Sequence, residues 1–204
     1  MKLIGMLDSP YVRRVAISLA MQDLPFTHAP LSVFSNFDEF AKINPVVKAP
    51  TLVTAEGTVL MDSGLILEHA ALLAAPGRSL APDSAEDHAR AQRIIGLALA
   101  ACEKSVQIVY EHNLRPAEKQ HAPWLDRVRG QLAAAYRLLE EEAAKADPWL
   151  FGDSPLQADI TSAVAFRFTR EMVPDGLDVP ALPGLAALSA RAEALEAFQA
   201  YPYA

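Results

Sequence analysis

Cysteine is almost missing from this chain: Cys102 is the only one in 204 residues. A single thiol excludes an intramolecular disulfide, a Cys-x-x-Cys redox pair and a cysteine-based zinc site. Positive charge is also scarce, with 18 Lys and Arg against 25 Asp and Glu and a formal net charge of -7. No basic stripe interleaves with aromatics, so a phosphate backbone finds no track to follow, and nucleic acid is not an expected partner. Long apolar runs are lacking too. Asp8 interrupts the first one before a signal-peptide core of about 7–15 apolar residues is complete. The most apolar later stretch, residues 94–102, falls far short of the about 20 residues that span a bilayer. A cytoplasmic protein with no membrane partner is expected.

What is present has the balance of a folded chain, 51% hydrophobic and 21% charged. Its length exceeds the usual domain size of about 100–150 residues, so a boundary is to be sought. Up to Pro76, short β-like runs alternate with helical ones, and from Ala85 onward only helical periodicity remains. Pro76, Gly77 and Pro82 mark the change. The reading is a first domain over 1–76, a linker over 77–84 and a helical domain over 85–204.

In the first domain, residues 2–7 read as a buried strand, followed by Val12, Val15, Ala16, Leu19 and Ala20 at helical spacing. Ser9 and Pro10 stand at the helix start, where proline's missing N–H costs nothing. Residues 26–33 form a second predicted strand, Phe37–Ile43 a short helix or turn, and Asn44-Pro45 a breaker before Thr51–Val53. Glu56-Gly57 turns the chain into Val59–Met61, and Ser63 opens a helix carrying Leu65, Ile66, His69, Leu72 and Leu73. The order is βαβ followed by ββα. In the second domain, residues 86–112, 123–145 and 157–171 and a segment after Pro183 read as helices. The first of them has an apolar stripe through Ile94, Leu97, Ala98, Ala101 and Ser105. The fold class is an α/β N-terminal domain plus an all-α C-terminal domain.

Three short stretches carry candidate chemistry. In Asp8-Ser9-Pro10-Tyr11-Val12-Arg13-Arg14-Val15, Ser9 reads either as a plain N-cap or as part of an anion site, because free N–H groups and the positive helix end converge there. In Asn44-Pro45-Val46-Val47-Lys48-Ala49-Pro50-Thr51, Pro50 reads as an ordinary strand-start proline or as a cis proline. In the cis case the backbone of Ala49 is turned out to pair with an extended peptide. In Met61-Asp62-Ser63-Gly64-Leu65-Ile66, Asp62-Ser63 reads as a helix cap, although Ile66 stands where a capping box wants Glu or Gln. The same pair suits a zwitterion, Ser63 taking a carboxylate and Asp62 an ammonium.

Taken in order, Ser9, Ala49-Pro50 and Asp62-Ser63 resemble the glutathione transferase superfamily. Its first domain is a thioredoxin-like βαβ-ββα fold with Ser, Tyr or Cys at the first helix start, then an X-Pro with a cis bond, then Glu/Asp-Ser at the third helix. The run from Ser9-Pro10-Tyr11 to Val15 looks like the serine branch, as in plant tau-type and several bacterial members. Phe151-Gly152-Asp153-Ser154-Pro155-Leu156-Gln157-Ala158-Asp159-Ile160 resembles the family's Gly-Asp-x-Pro-Ser/Thr-x-Ala-Asp-Ile stretch. Leu156 departs from it by standing where a capping Ser or Thr is usual, so Asp159 keeps half of the box and Ser154 offers itself as a neighbouring cap.

The resemblance implies glutathione as co-substrate, no metal, and Ser9 as the residue that stabilises the thiolate. It implies that Asp62 and Ser63 bind the γ-glutamyl end, Ala49 and Pro50 the cysteinyl backbone, and Lys48 the glycine carboxylate. A small hydrophobic electrophile is expected against Tyr11, Phe34 and Tyr110, with Tyr203 and the tail near by, and the family implies a homodimer. A serine hydroxyl cannot form a mixed disulfide, which favours conjugation, addition or isomerisation over reduction. Cys102, inside an apolar helical stripe, reads as an inert core thiol. The other reading is a protein of the same fold that only binds a ligand or a partner protein.

Overall fold

In the computed structural model, which describes residues 1–204, the first two strands are shorter than the apolar runs that announce them. β1 covers Lys2–Ile4 and β2 covers Thr27–Ala29. Gly5 ends β1 by taking a φ of +137°, although its N–H still donates to the Ala29 carbonyl at 3.1 Å. Pro30 ends β2 because proline has no N–H to give to a ladder. β3 (Thr51–Val53) and β4 (Val59–Met61) form at the expected positions. The sheet order is β2-β1-β3-β4, with β1 parallel to β2 and antiparallel to β3, and β3 antiparallel to β4.

Three helices complete this α/β unit: α1 (Pro10–Met21), α2 (Phe37–Ile43) and α3 (Ser63–Leu73). Val12, Val15, Ala16 and Leu19 of α1 recur at helical spacing and meet Leu3, Leu52, Ile66 and Ala70 in one fully buried cluster. The other face of α3 is apolar but uncovered, with Leu65 60% and Leu72 82% exposed.

The chain divides into two compact units, Met1–Leu80 with Leu195–Ala204, and Ala81–Ala194. The last residues, including the short helix α8 (Glu196–Ala200), therefore pack with the first unit rather than with the helical segment that precedes them. Three contacts explain this. The buried Arg13 donates from Nε to the Tyr201 carbonyl at 2.9 Å, its guanidinium lies 5.4 Å from the centre of the Phe198 ring, and Phe26 stacks on Tyr201 at 5.3 Å.

The second unit holds α4 (Ala85–Leu114), α5 (Ala122–Ala143), α6 (Gln157–Met172) and α7 (Pro183–Glu193). Ile94, Ala98, Ala101 and Ser105 of the predicted stripe are buried, and Cys102 beside them is 1% exposed. A polar knot ties three helices together: the Tyr136 hydroxyl donates to the Ala165 carbonyl at 2.9 Å and meets Thr169 Oγ1 at 2.6 Å, and Thr169 meets Ser105 Oγ at 2.7 Å. Burial, and after it the Cys102 sulfur, pushes the Tyr136 phenol well above its ordinary pKa, so it stays a neutral donor. At the start of α6, Leu156 gives no side-chain cap. The fully buried Asp159 closes the turn by accepting from the Leu156 and Leu150 N–H groups, both at 2.9 Å. Burial raises the Asp159 carboxyl, and these amides pull it back only in part. No helix of the chain is long and apolar enough to cross a membrane.

Gly5 is the most tightly enclosed glycine of the first unit. A Cβ there would lie 2.6 Å from Val12 Cγ2 and 3.1 Å from the Ala49 Cβ, so a side chain is refused on two sides and by the backbone angle. Strain and overpacking together give Gly5→Ala an expected cost of about 2–4 kcal/mol. A thermal melt should show Tm lowered by about 4–16 °C. An unchanged Tm would mean that the two loops do not need this contact.

Candidate functional site

Ser9 is the N-cap of α1, and its Oγ accepts from the Val12 N–H at 3.4 Å. Its own carbonyl accepts from Arg13 N at 2.9 Å, which begins the helix, and its N–H donates to the Met6 carbonyl at 3.3 Å. A hydroxyl has two lone pairs and one proton, so a cap that uses a lone pair leaves the O–H able to donate. Ser9 is only partly buried, and it sits where the dipole of a 12-residue helix favours negative charge. Next to it, burial holds the Asp8 carboxyl above its ordinary value, against the pull of the Ser9 and Asp8 amides.

The second stretch is held from below. Asn44, 4% exposed, donates to Thr51 Oγ1 at 2.8 Å and accepts from the Val46 N–H at 3.1 Å. Thr51 Oγ1 in turn donates to the Lys48 carbonyl at 2.7 Å. Val47 takes a φ of +51°, a left-handed conformation that a β-branched residue resists. The Ala49-Pro50 bond is cis, and so is Asp147-Pro148 in the other unit, which has no comparable sequence signal. Asn44, legible only as a breaker, is thus the buried brace of the Lys48-Ala49-Pro50 segment.

The third stretch also carries backbone strain. Asp62, the N-cap of α3, has a φ of +73°. Its Oδ1 accepts from the Gly64 N–H at 2.9 Å, and its Oδ2 lies 3.5 Å from Lys48 Nζ. Partial burial acts to raise the Asp62 carboxyl, but the Gly64 amide, the Lys48 charge and the Leu65 amide outweigh it and hold it below the usual range. Ser63 is 5% exposed, and its Oγ accepts from Arg14 Nη1 at 3.0 Å.

The structure thus pairs Lys48 with Asp62 and joins Ser63 to α1 through Arg14. Close approach at Gly5 sets the segment that leads to Ser9 against Ala49. Tyr11 is a partly buried residue of α1, Phe34 is 57% exposed in the loop after β2, and Tyr110 is 43% exposed on α4 of the other unit. Nothing local in the sequence marks Arg14 or Asn44 as a brace of this site. An arginine on an amphipathic helix carries no local sign that it points inward. No group of three or more His, Cys, Asp and Glu side chains is placed to hold a metal ion.

Comparison with known proteins places this geometry in a family. Residues 3–78 match the family model for the glutathione S-transferase N-terminal domain, and residues 122–191 the one for the C-terminal domain. YibF, an uncharacterized glutathione S-transferase-like protein of Escherichia coli, is 31% identical over 140 residues, which is 69% of this chain and 68% of that protein. A glutathione S-transferase of Methylobacterium radiotolerans, crystallised with glutathione sulfonate, superposes with a TM-score of 0.90 at 29% identity and covers 100% of this chain and 95% of its own. A glutathione transferase family member from Pseudomonas fluorescens with bound glutathione gives a TM-score of 0.84 at 27% identity, covering 98% and 97%.

The Asp62 carboxylate, held low by the Gly64 amide and then by the Lys48 charge, makes a prediction about acid stability. A carboxyl held below its unfolded value adds stability that is fully present above an unfolded pKa of about 3.9 and is lost as pH falls through the lower folded value. Both side chains are about half exposed, at 52% and 50%, so the contribution is about 0–1 kcal/mol. Denaturant titrations from about pH 5 to about pH 2.5 should show Asp62→Asn losing less stability on acidification than the parent chain. Parallel curves for the two would show that the Asp62 charge contributes nothing to folding.

Proposed function

The chain belongs to the glutathione S-transferase superfamily, and on that premise we propose that it is a serine-type glutathione transferase acting in the cytoplasm on a small hydrophobic electrophile. One observation carries this reading: Ser9 caps α1 with a lone pair, which leaves its proton to donate to a sulfur anion lying over the helix start. A free thiol has a pKa of about 8.5, so only a few per cent is thiolate at neutral pH. Lowering that value by two units takes about 2.7 kcal/mol of preferential thiolate stabilisation. A hydrogen bond to a charged group supplies about 1.5–3 kcal/mol and a helix N-terminus up to about 2, so the two together suffice.

The tripeptide is zwitterionic, and the charges at the site suit it. Its ammonium takes Asp62, its γ-glutamyl carboxylate takes the Ser63 hydroxyl and N–H, its cysteinyl backbone pairs with Ala49 beside Pro50, and its glycine carboxylate takes Lys48. Lys48 and Asp62 pair at 3.5 Å, and the ligand's two ends would replace that exposed bond with two. The bound thiolate then attacks. Its electron pair forms the new sulfur–carbon bond, and either a leaving group departs with the pair of the broken bond or an addition is completed by a proton from water. The only other sulfur nucleophile, Cys102, is 1% exposed, which disfavours a disulfide-reductase chemistry. Tyr11, Phe34 and Tyr110 are the side chains we propose to face the electrophile.

We also propose a homodimer formed through α3 and β4. Val59, Met61, Leu65, Leu72 and Leu73 form an apolar set there that is 38–82% exposed, and covering apolar surface is what drives association.

Two outcomes are expected. Ser9→Ala should remain bound by a glutathione-affinity column while turnover of a generic chloronitrobenzene falls at least about tenfold. Equal turnover in the variant would remove Ser9 from the chemistry, and a parent chain that is retained without turnover would be a binding module. Leu65→Glu with Leu72→Glu should elute from a sizing column at half the mass of the parent. An unchanged elution volume would place the contact elsewhere.

A further inference from the structure

Arg14 is an anomaly in α1. It is 2% exposed in a helix whose buried apolar positions include Val12, Val15, Ala16, Ile17 and Leu19; its likewise buried neighbour Arg13 holds the tail at Tyr201, and at position 14 an apolar side chain would avoid the cost of desolvating a cation. The Arg14 guanidinium does not go to solvent. Nη1 reaches the Ser63 Oγ at 3.0 Å, at the first residue of α3. Ser63 is itself 5% exposed, so this is a bond between buried groups across two helices.

We propose that Arg14 is a positioning residue for ligand carboxylate binding: it occupies a lone pair of the Ser63 hydroxyl and so fixes which way that hydroxyl's proton points. A guanidinium only donates, so Ser63 Oγ must accept from it. The one proton Ser63 has is then directed away from Arg14, free for a carboxylate at the N-terminus of α3. There the Ser63 N–H is among the amides that no preceding helical turn can satisfy. The positive charge of Arg14 adds to the same attraction from behind. Arg14 also lies on the helix that Ser9 caps. One buried side chain therefore joins the helix start assigned to sulfur to the helix start assigned to the γ-glutamyl end. The inference rests on the glutathione reading given above and goes beyond it by naming a residue that never touches the ligand.

A double-mutant cycle read by calorimetry tests it, with glutathione and S-methylglutathione as the two probes. Arg14→Gln should weaken both probes by about tenfold, because S-methylation removes the thiol that Ser9 serves and leaves the γ-glutamyl end intact. In steady-state assays the same variant should raise the KM for glutathione and leave kcat within about twofold, which a general loss of structure would not do. In a Ser63→Ala background the Arg14→Gln change should cost no more than about twofold, since the hydroxyl it orients is gone. Arg14→Lys, which keeps the charge and the stem, should fall between parent and Arg14→Gln. Equal losses with and without Ser63 would overturn the proposal while leaving the glutathione reading intact. A parent chain that binds neither probe would overturn both, and unfolding of both Arg14 variants would make the residue structural and end the proposal.

Discussion

The Ser9 hydroxyl accepts from the Val12 N–H, and this direction of donation governs what the site can do. Had the hydroxyl proton been used inside the protein, the same side chain would be a cap and nothing more. Because the cap needs only a lone pair, structure and chemistry draw on different parts of one oxygen, and Ser9 serves both without conflict. The helix beneath adds its own positive end, and an anion is the ligand that both features suit.

Around that oxygen the first unit is organised for precision. Two residues with positive φ and a side chain, Val47 and Asp62, belong to the stretches where the ligand's backbone and ammonium are assigned. Each such conformation costs about 1–3 kcal/mol and persists only when its surroundings impose it. Here the surroundings are identifiable. The Asn44–Thr51–Lys48 chain of hydrogen bonds holds the loop around Val47, and the Gly64 amide with the Lys48 ammonium holds Asp62. Gly5 lets β1 run close under Ala49, and Arg14 links α1 to α3. The second unit keeps itself together with the separate Tyr136–Thr169–Ser105 knot and the buried Asp159 turn.

What could be read in the sequence was whatever is encoded locally. Phe37–Ile43, Thr51–Val53 and Val59–Met61 stand where breakers and turn residues put them, because Asn44-Pro45 and Glu56-Gly57 act on their immediate neighbours. The order Ser9, Ala49-Pro50, Asp62-Ser63 was legible for the same reason: each is a helix-start or strand-start pattern. β1 and β2 were read too long because apolar runs continue past the residues that stop the ladder, Gly5 and Pro30. Non-local effects left no trace. Arg13 and Arg14 look like the polar face of a helix, yet one holds the tail at Tyr201 and the other holds Ser63. The packing of residues 195–204 with the first unit likewise depends on aromatic and cation contacts to residues more than 170 positions away, such as Arg13 to Tyr201 at a separation of 188.

The most direct test of the thiolate account is the ionisation of bound glutathione itself. Ultraviolet absorbance of the thiolate, followed against pH in the complex, should give a pKa near 6.5, about two units below the free thiol. The same titration with Ser9→Ala should move it back toward about 8.5. Coincident curves for the two proteins would contradict the claim that this hydroxyl stabilises the sulfur anion.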